Sequence, residues 1–147
     1  MAETIEFPDT VELIRNDQMP ENLYAPDGTL LISDNDYMAE TPLIKNRKKW
    51  RLYPNVELYS FDGETAVYRR LSDGVLVRMT DVYAINMVGI VRRNPGITVE
   101  EAIATELKQI EDNEGEITDE KEMAATLSVL YYALALTIIH DLVRLQK

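Results

Sequence analysis

Between Asn55 and Arg93 the hydrophobic pattern changes period once, and the rest of the chain is arranged around that change. Before it, three short runs alternate as strands do: Val56 to Phe61, closed by Asp62-Gly63; Thr65 to Leu71, closed by Asp73-Gly74; and Val75 to Met79. Asp-Gly between β-branched and aromatic runs signals a hairpin, because the turn needs a positive φ that glycine adopts without strain. Two such signals in succession predict a three-stranded antiparallel sheet. From Thr80 onward Val82, Ile85, Val88 and Gly89 recur at helical spacing, as do Tyr83, Met87 and Ile90, and Thr80 or Asp81 can cap the first turn. A sheet this small has one face to bury, and the helices that follow must cover it.

The pattern continues as two more helices. Arg92-Arg93-Asn94-Pro95-Gly96 is a break, since proline cannot continue the helix and glycine takes the turn. Thr98-Val-Glu-Glu101 reads as a capping box opening a helix from Val99 to about Ile110, with Val99, Ile103, Leu107 and Ile110 as its apolar stripe. A charged linker, Glu111 to Glu116, precedes a last helix that starts near Thr118 or Asp119, with Glu122 at cap-like spacing, and runs to about Leu145. From Met123 to Ile139 it carries no charge for seventeen residues. A membrane span needs about 20 predominantly apolar residues, and the Thr, Ser, Tyr and Ala in this run favour a buried helix instead. Leu127, Leu130, Leu134 and Ile138 are expected to pack inward, while Tyr131 and Ala135 face a binding wall or a homodimer contact.

Residues 1–52 read as an N-terminal extension with two short strands, and 53–147 as the folded domain. Thr10 to Arg15 fits a short strand or one helical turn, Pro26-Asp-Gly28 a turn, and Thr29 to Ser33 a strand. The basic run Lys45, Arg47, Lys48, Lys49, Arg51 reads as a solvated hinge, anchored by Trp50 and Tyr53.

Charge narrows the function. The net charge is −11 over 147 residues. Residues 1–40 hold ten acids and one base, and residues 99–147 eleven acids and four bases. A duplex-binding protein presents a basic face, because counterion release drives its affinity; most of this surface would repel nucleic acid. The chain has no cysteine, so no disulfide, thiolate metal site or cysteine nucleophile, which fits a reducing, cytoplasmic setting.

Catalytic constellations are absent from the pattern. The single histidine, His140, has Asp141 beside it, but adjacent helix residues do not face each other. Glu100, Glu101, Glu111, Asp112, Glu114 and Glu116 match no calcium loop, and there is no glycine-rich phosphate loop. No catalytic residue, metal site or cofactor is expected.

From Pro54 to Val143 the chain resembles the PqqD-like fold, also called the RiPP recognition element, a winged-helix relative that binds leader peptides of ribosomally made, modified peptides. The resemblance rests on Pro54-Asn-Val56 leading into the sheet, Val75-Leu-Val-Arg-Met79 running into Thr80-Asp-Val-Tyr-Ala84, and Ile97-Thr-Val-Glu-Glu-Ala-Ile103 opening the second helix. It implies an α+β fold, a three-stranded antiparallel sheet followed by three helices. It further implies a noncatalytic module that takes an extended precursor peptide as an added strand and presents it to a separate modifying enzyme, such as a radical-chemistry maturase. An edge strand offers unpaired backbone groups for affinity and side-chain pockets for selectivity. The residues so implied are Val75, Leu76, Val77, Arg78 and Met79 at the strand edge, and Tyr131, Leu134, Ala135 and Ile138 walling a cleft, with Arg78 placed to meet an acidic ligand side chain. Two other classes remain. One is a winged-helix regulator, disfavoured by Glu100, Glu101 and Glu106 on the would-be recognition helix. The other is an assembly subunit dimerising through the last helix.

Overall fold

In a computed structural model that describes residues 12–14, 23–24, 30–32 and 42–146, the chain is an α+β protein. The expected meander is present as β5 (Val56–Phe61), β6 (Ala66–Arg70) and β7 (Leu76–Met79), paired antiparallel. Its turns are built by the two aspartates. The Asp62 carboxylate accepts from the Glu64 and Thr65 amides (2.9 and 2.7 Å), and Asp73 accepts from the Val75 amide (3.0 Å). Gly63 and Gly74 take φ of +98° and +74°, where a side chain would be strained. These turn bonds hold Thr65 and Val75 in the turns, and β6 and β7 are shorter than expected, by Thr65 and Leu71 and by Val75 respectively.

A second sheet was not expected. β4 (Arg51–Pro54) pairs antiparallel with β8 (Ile97–Thr98) on one side and β9 (Val143–Gln146) on the other. The boundary drawn at 52/53 thus falls inside a strand. The basic run is solvated as expected, with Lys45, Lys48, Lys49 and Arg51 exposed, and Trp50 anchors it to the core, joined there by Leu52. β4 is preceded by α1 (Pro42–Lys45) and a turn in which Arg47 pairs with Glu100 at 3.2 Å. The last helix also stops early, at Ile139, and Val143 and Leu145 turn inward as strand residues.

The three expected helices are α2 (Val82–Arg93), α3 (Val99–Glu114) and α4 (Glu120–Ile139). Asp81 caps α2 by accepting from the Ala84 amide at 2.9 Å, and Asn94 ends it. Thr98 accepts from the Glu101 amide (3.2 Å) while donating its hydroxyl proton to the Glu101 carboxylate (2.9 Å), so the glutamate braces the cap side chain. α3 continues through the acidic stretch expected to be linker and ends at Gly115, φ +100°. Asp119 precedes α4 without a side-chain capping bond. The core lies between the inner face of the meander (Ala66, Tyr68, Val77, Met79) and α2, α3 and α4. α4 is buried over Leu130–Ile138 except at half-buried Tyr132, whereas its first turns are exposed or half-buried. By length and composition alone α4 is a helix that can cross a membrane.

The extension contributes three strands, β1 (Glu12–Ile14), β2 (Leu23–Tyr24) and β3 (Leu30–Ile32). β2 and β3 pair with each other, and β2 lies against α4. The turn expected at Pro26-Asp-Gly28 lies outside the described residues.

Candidate peptide-binding edge

β7 is the strand expected to accept a peptide, and its backbone alternation fixes which groups are available. The Arg70 amide bonds the Val75 carbonyl at 2.9 Å, so residues 70 and 75 form a hydrogen-bonded antiparallel pair. Such pairs alternate along the ladder. Tyr68–Val77 and Ala66–Met79 are therefore bonded pairs as well, and Val67–Arg78 and Arg69–Leu76 are not. Val77 and Met79 spend their backbone groups on β6. Leu76 and Arg78 aim theirs at the opposite border.

That border is not empty. β1 runs alongside it in parallel, with Glu12 opposite Val77, Leu13 opposite Arg78 and Ile14 opposite Met79. The sheet order is β1-β7-β6-β5. The far border, β5, has no neighbour among the described residues. Its pairing with β6 shifts register between Leu58 and Ser60, and it carries the Glu57–Arg69 ion pair (3.2 Å), with the Arg69 guanidinium over the Tyr59 ring. A bulge and charges are the usual means by which an exposed edge resists pairing. Of the two borders, β7 is the regular one.

The strand residues divide by face. Leu76, Val77 and Met79 are buried, Val75 is half-buried, and Arg78 is exposed. The four helix residues expected to wall a cleft, Tyr131, Leu134, Ala135 and Ile138, are all buried in the core cluster. Tyr131 lies near the Arg47–Glu100 pair: burial holds its phenol above the usual range, with Arg47 lowering it and Glu100 raising it. α4 packs chiefly on α2, α3 and β9. Two clefts lie elsewhere. One, of about 210 Å³, sits beside Tyr83, Ile110 and Val129. The other, of about 500 Å³, lies beside Phe61, Val82 and Asn86, where Phe61 and Val82 are exposed.

Two groups escaped sequence reasoning. Glu106, taken as a surface acid, is only 1% exposed on α3. It accepts from Asn86 Nδ2 at 3.2 Å through Oε1, while Oε2 has no partner. Its place in the helix, seven after Val99 and three after Ile103, was the available signal. Burial raises its carboxyl above 4.5, opposed by Asn86 and Arg93. A raised carboxyl leaves stability unaffected below the unfolded value and erodes it as pH climbs through the folded one. Glu106→Gln is therefore expected to stabilise the protein by about 1 kcal/mol at about pH 7. Thermal melts of both proteins should converge at about pH 4; equal separation at both pH values would refute the account.

The second is the corner at Asn55, Ser72, Asp141 and Arg144. Asp141 adopts φ +60° directly after α4. Its carboxylate accepts from Arg144 Nε and Nη2 (both 3.0 Å), Ser72 Oγ (3.2 Å) and Asn55 Nδ2 (3.2 Å). The Arg144 hydrogen bonds hold that carboxyl below its usual range. Arg70 ties in the neighbouring turn, donating to the His140 carbonyl (2.9 Å) and to Asp73 (2.8 Å). Asp141 serves this corner, and His140 supplies a carbonyl to it.

No group of three or more His, Cys, Asp or Glu side chains among the described residues is arranged to hold a metal ion. Compared with protein-family models, curated proteins and solved structures, the chain matches none of them.

Proposed function

We propose that this chain is a noncatalytic, PqqD-like peptide-recognition module that holds an extended precursor peptide along β7 and presents it to a partner modifying enzyme in the cytoplasm. What supports the reading is that the β7 border can pair with an extended segment, as it does with the chain's own Glu12–Ile14; the border expected to be open is filled, so a peptide must displace that segment. The border has outward backbone groups at Leu76 and Arg78, an exposed cation at Arg78, and none of the bulging that blunts β5. Strand addition obtains affinity from those main-chain groups and needs no catalytic side chain. The resemblance of Pro54 to Val143 to the leader-binding family supports the same reading.

The regulator alternative has weaker support. α3 begins with Glu100 and Glu101 and ends without a basic residue, the reverse of what the major groove requires.

Selection of displayed random peptides on the full-length protein tests the proposal. Selected peptides should lose about two orders of magnitude in affinity to Arg78→Pro, which deletes an outward amide while leaving the β6 ladder its inward ones. Val77→Pro, by contrast, removes an amide that β6 uses and should unfold the sheet. Selected peptides indifferent to Arg78→Pro, in a variant with unchanged circular dichroism, would defeat the reading. Binding of duplex DNA at physiological salt would favour a regulator instead.

A further inference from the structure

We infer that Glu12–Ile14 is a resident occupant of the peptide site, so that ligands bind by displacing it, and that the favoured ligand is an aliphatic peptide running parallel to β7. This rests on the peptide-recognition reading above.

Three observations lead to it. First, the pairing is only three residues long, Glu12 to Ile14, beside a four-residue β7. A short strand can be outcompeted by a longer one, because each further residue adds ladder bonds along the same border. Second, the pairing is parallel, whereas β5, β6 and β7 are joined antiparallel by tight turns. A parallel neighbour is reached through a long connection, here the whole chain from Ile14 to Leu76. The strand is therefore a tethered ligand in topology, held by effective concentration rather than by a turn. The meander it joins is complete without it. Third, the occupant reports what the border accepts. The segment Thr10-Val-Glu-Leu-Ile-Arg15 is aliphatic at Val11, Leu13 and Ile14 and carries one acid and one base, so it is neutral overall. Leu13 lies opposite the exposed Arg78, the strand's one cation. An aliphatic residue is thus what the border holds opposite its cation, while Glu12 falls opposite Val77.

A resident strand lowers apparent affinity by the fraction of molecules in which the site is free. With the site free one-tenth of the time, releasing the strand tightens ligand binding about tenfold, about 1.4 kcal/mol.

The probe is a labelled synthetic peptide of residues 9–18, titrated into the full-length chain and its variants. In a parallel register the outward Arg78 bonds the residues flanking its partner, so the Ile14 amide meets the Arg78 carbonyl. Ile14→Pro removes that donor and is expected to bind the probe about tenfold more tightly than the unsubstituted chain. The absence of native cysteine allows a lock: Leu13→Cys with Arg78→Cys, on opposed residues, should lose probe binding when oxidised and regain it on reduction. Equal probe affinity for the unsubstituted, Ile14→Pro and oxidised forms overturns the inference, as does no binding to Ile14→Pro. The two ideas fail differently. If display-selected peptides depend on Arg78 but bind Ile14→Pro no better than the unsubstituted chain, the resident strand is refuted and the peptide site stands. If they ignore Arg78→Pro, the site itself is refuted.

Discussion

Leu134→Ala is expected to destabilise the protein by about 3 kcal/mol, lowering its melting temperature by roughly 10 °C. Leu134 is completely buried within the stretch of α4 that packs on α2 and α3. Truncation removes apolar contacts and leaves a cavity that Leu130, Leu136 and Ile138, on the same rigid helix, cannot collapse to fill. Val129, one turn earlier and 45% exposed, is the matched control, and its replacement by alanine should change stability by less than about 1 kcal/mol. Urea unfolding of the three proteins measures both effects. The contrast also decides how the long uncharged helix is used. A helix whose apolar run served a membrane or a second copy would tolerate Leu134→Ala in the isolated monomer, so a loss below about 1 kcal/mol would remove α4 from the core.

Asn55→Ala is expected to lower stability by about 2–3 kcal/mol, more than any single bond it makes. The side-chain amide donates to the Asp141 carbonyl (2.8 Å), the Asp141 carboxylate (3.2 Å) and Ser72 Oγ (3.2 Å). The same residue's backbone joins Leu142 (2.9 Å) and Leu71 (2.8 Å). Asn55 thus locks the end of α4, the start of β5 and the β6–β7 turn together. Its loss takes a donor from the Asp141 carbonyl and carboxylate and loosens the network that holds Asp141 in a left-handed conformation. Ser72→Ala, which removes one peripheral partner, should lower stability by roughly 0.5–1 kcal/mol. Chemical denaturation measures both; an Asn55→Ala effect no larger than that of Ser72→Ala would mean that the corner is not cooperative. The carboxyls of Asp62, Asp73 and Asp141 are held below their usual value, 3.8. Their contribution is present above that pH and disappears as the solution is acidified through the folded values, opposite in sense to Glu106.

The comparison of sequence with structure divides by the range of the interaction involved. Both hairpins follow from Asp62-Gly63 and Asp73-Gly74, because an aspartate and a glycine a residue apart supply the turn's hydrogen bonds and positive φ unaided. The starts of α2 and α3 follow from Asp81 and Thr98 for the same reason. Asn94-Pro95-Gly96 marks the end of α2 equally well. The turn and cap bonds of Asp62, Asp73, Asp81, Asn94 and Thr98 all lie within five residues.

Elements whose partner lies far away were not legible. Arg51 to Pro54 lacks enough alternation to announce a strand, and it becomes one because Val143–Gln146 and Ile97–Thr98 lie on either side. The end of α4 was overrun for a related reason. Val143 and Leu145 fit either period, and the choice was made by β4 together with the Asn55–Asp141 corner. Glu106 looked like surface because charge is usually exposed, and the approach of α2 enclosed it.

The candidate site divides the same way. By itself the sequence determined a three-stranded meander, a last helix uncharged from Met123 to Ile139 and an acidic N-terminal stretch. Tertiary structure alone decided that the backbone groups of Leu76 and Arg78 point away from β6, that Tyr131, Leu134, Ala135 and Ile138 lie in the core, and that Glu12–Ile14 takes the β7 border. Turn and cap chemistry is satisfied between neighbours, whereas the occupancy of a strand edge depends on which segment, however distant in sequence, pairs with it most favourably.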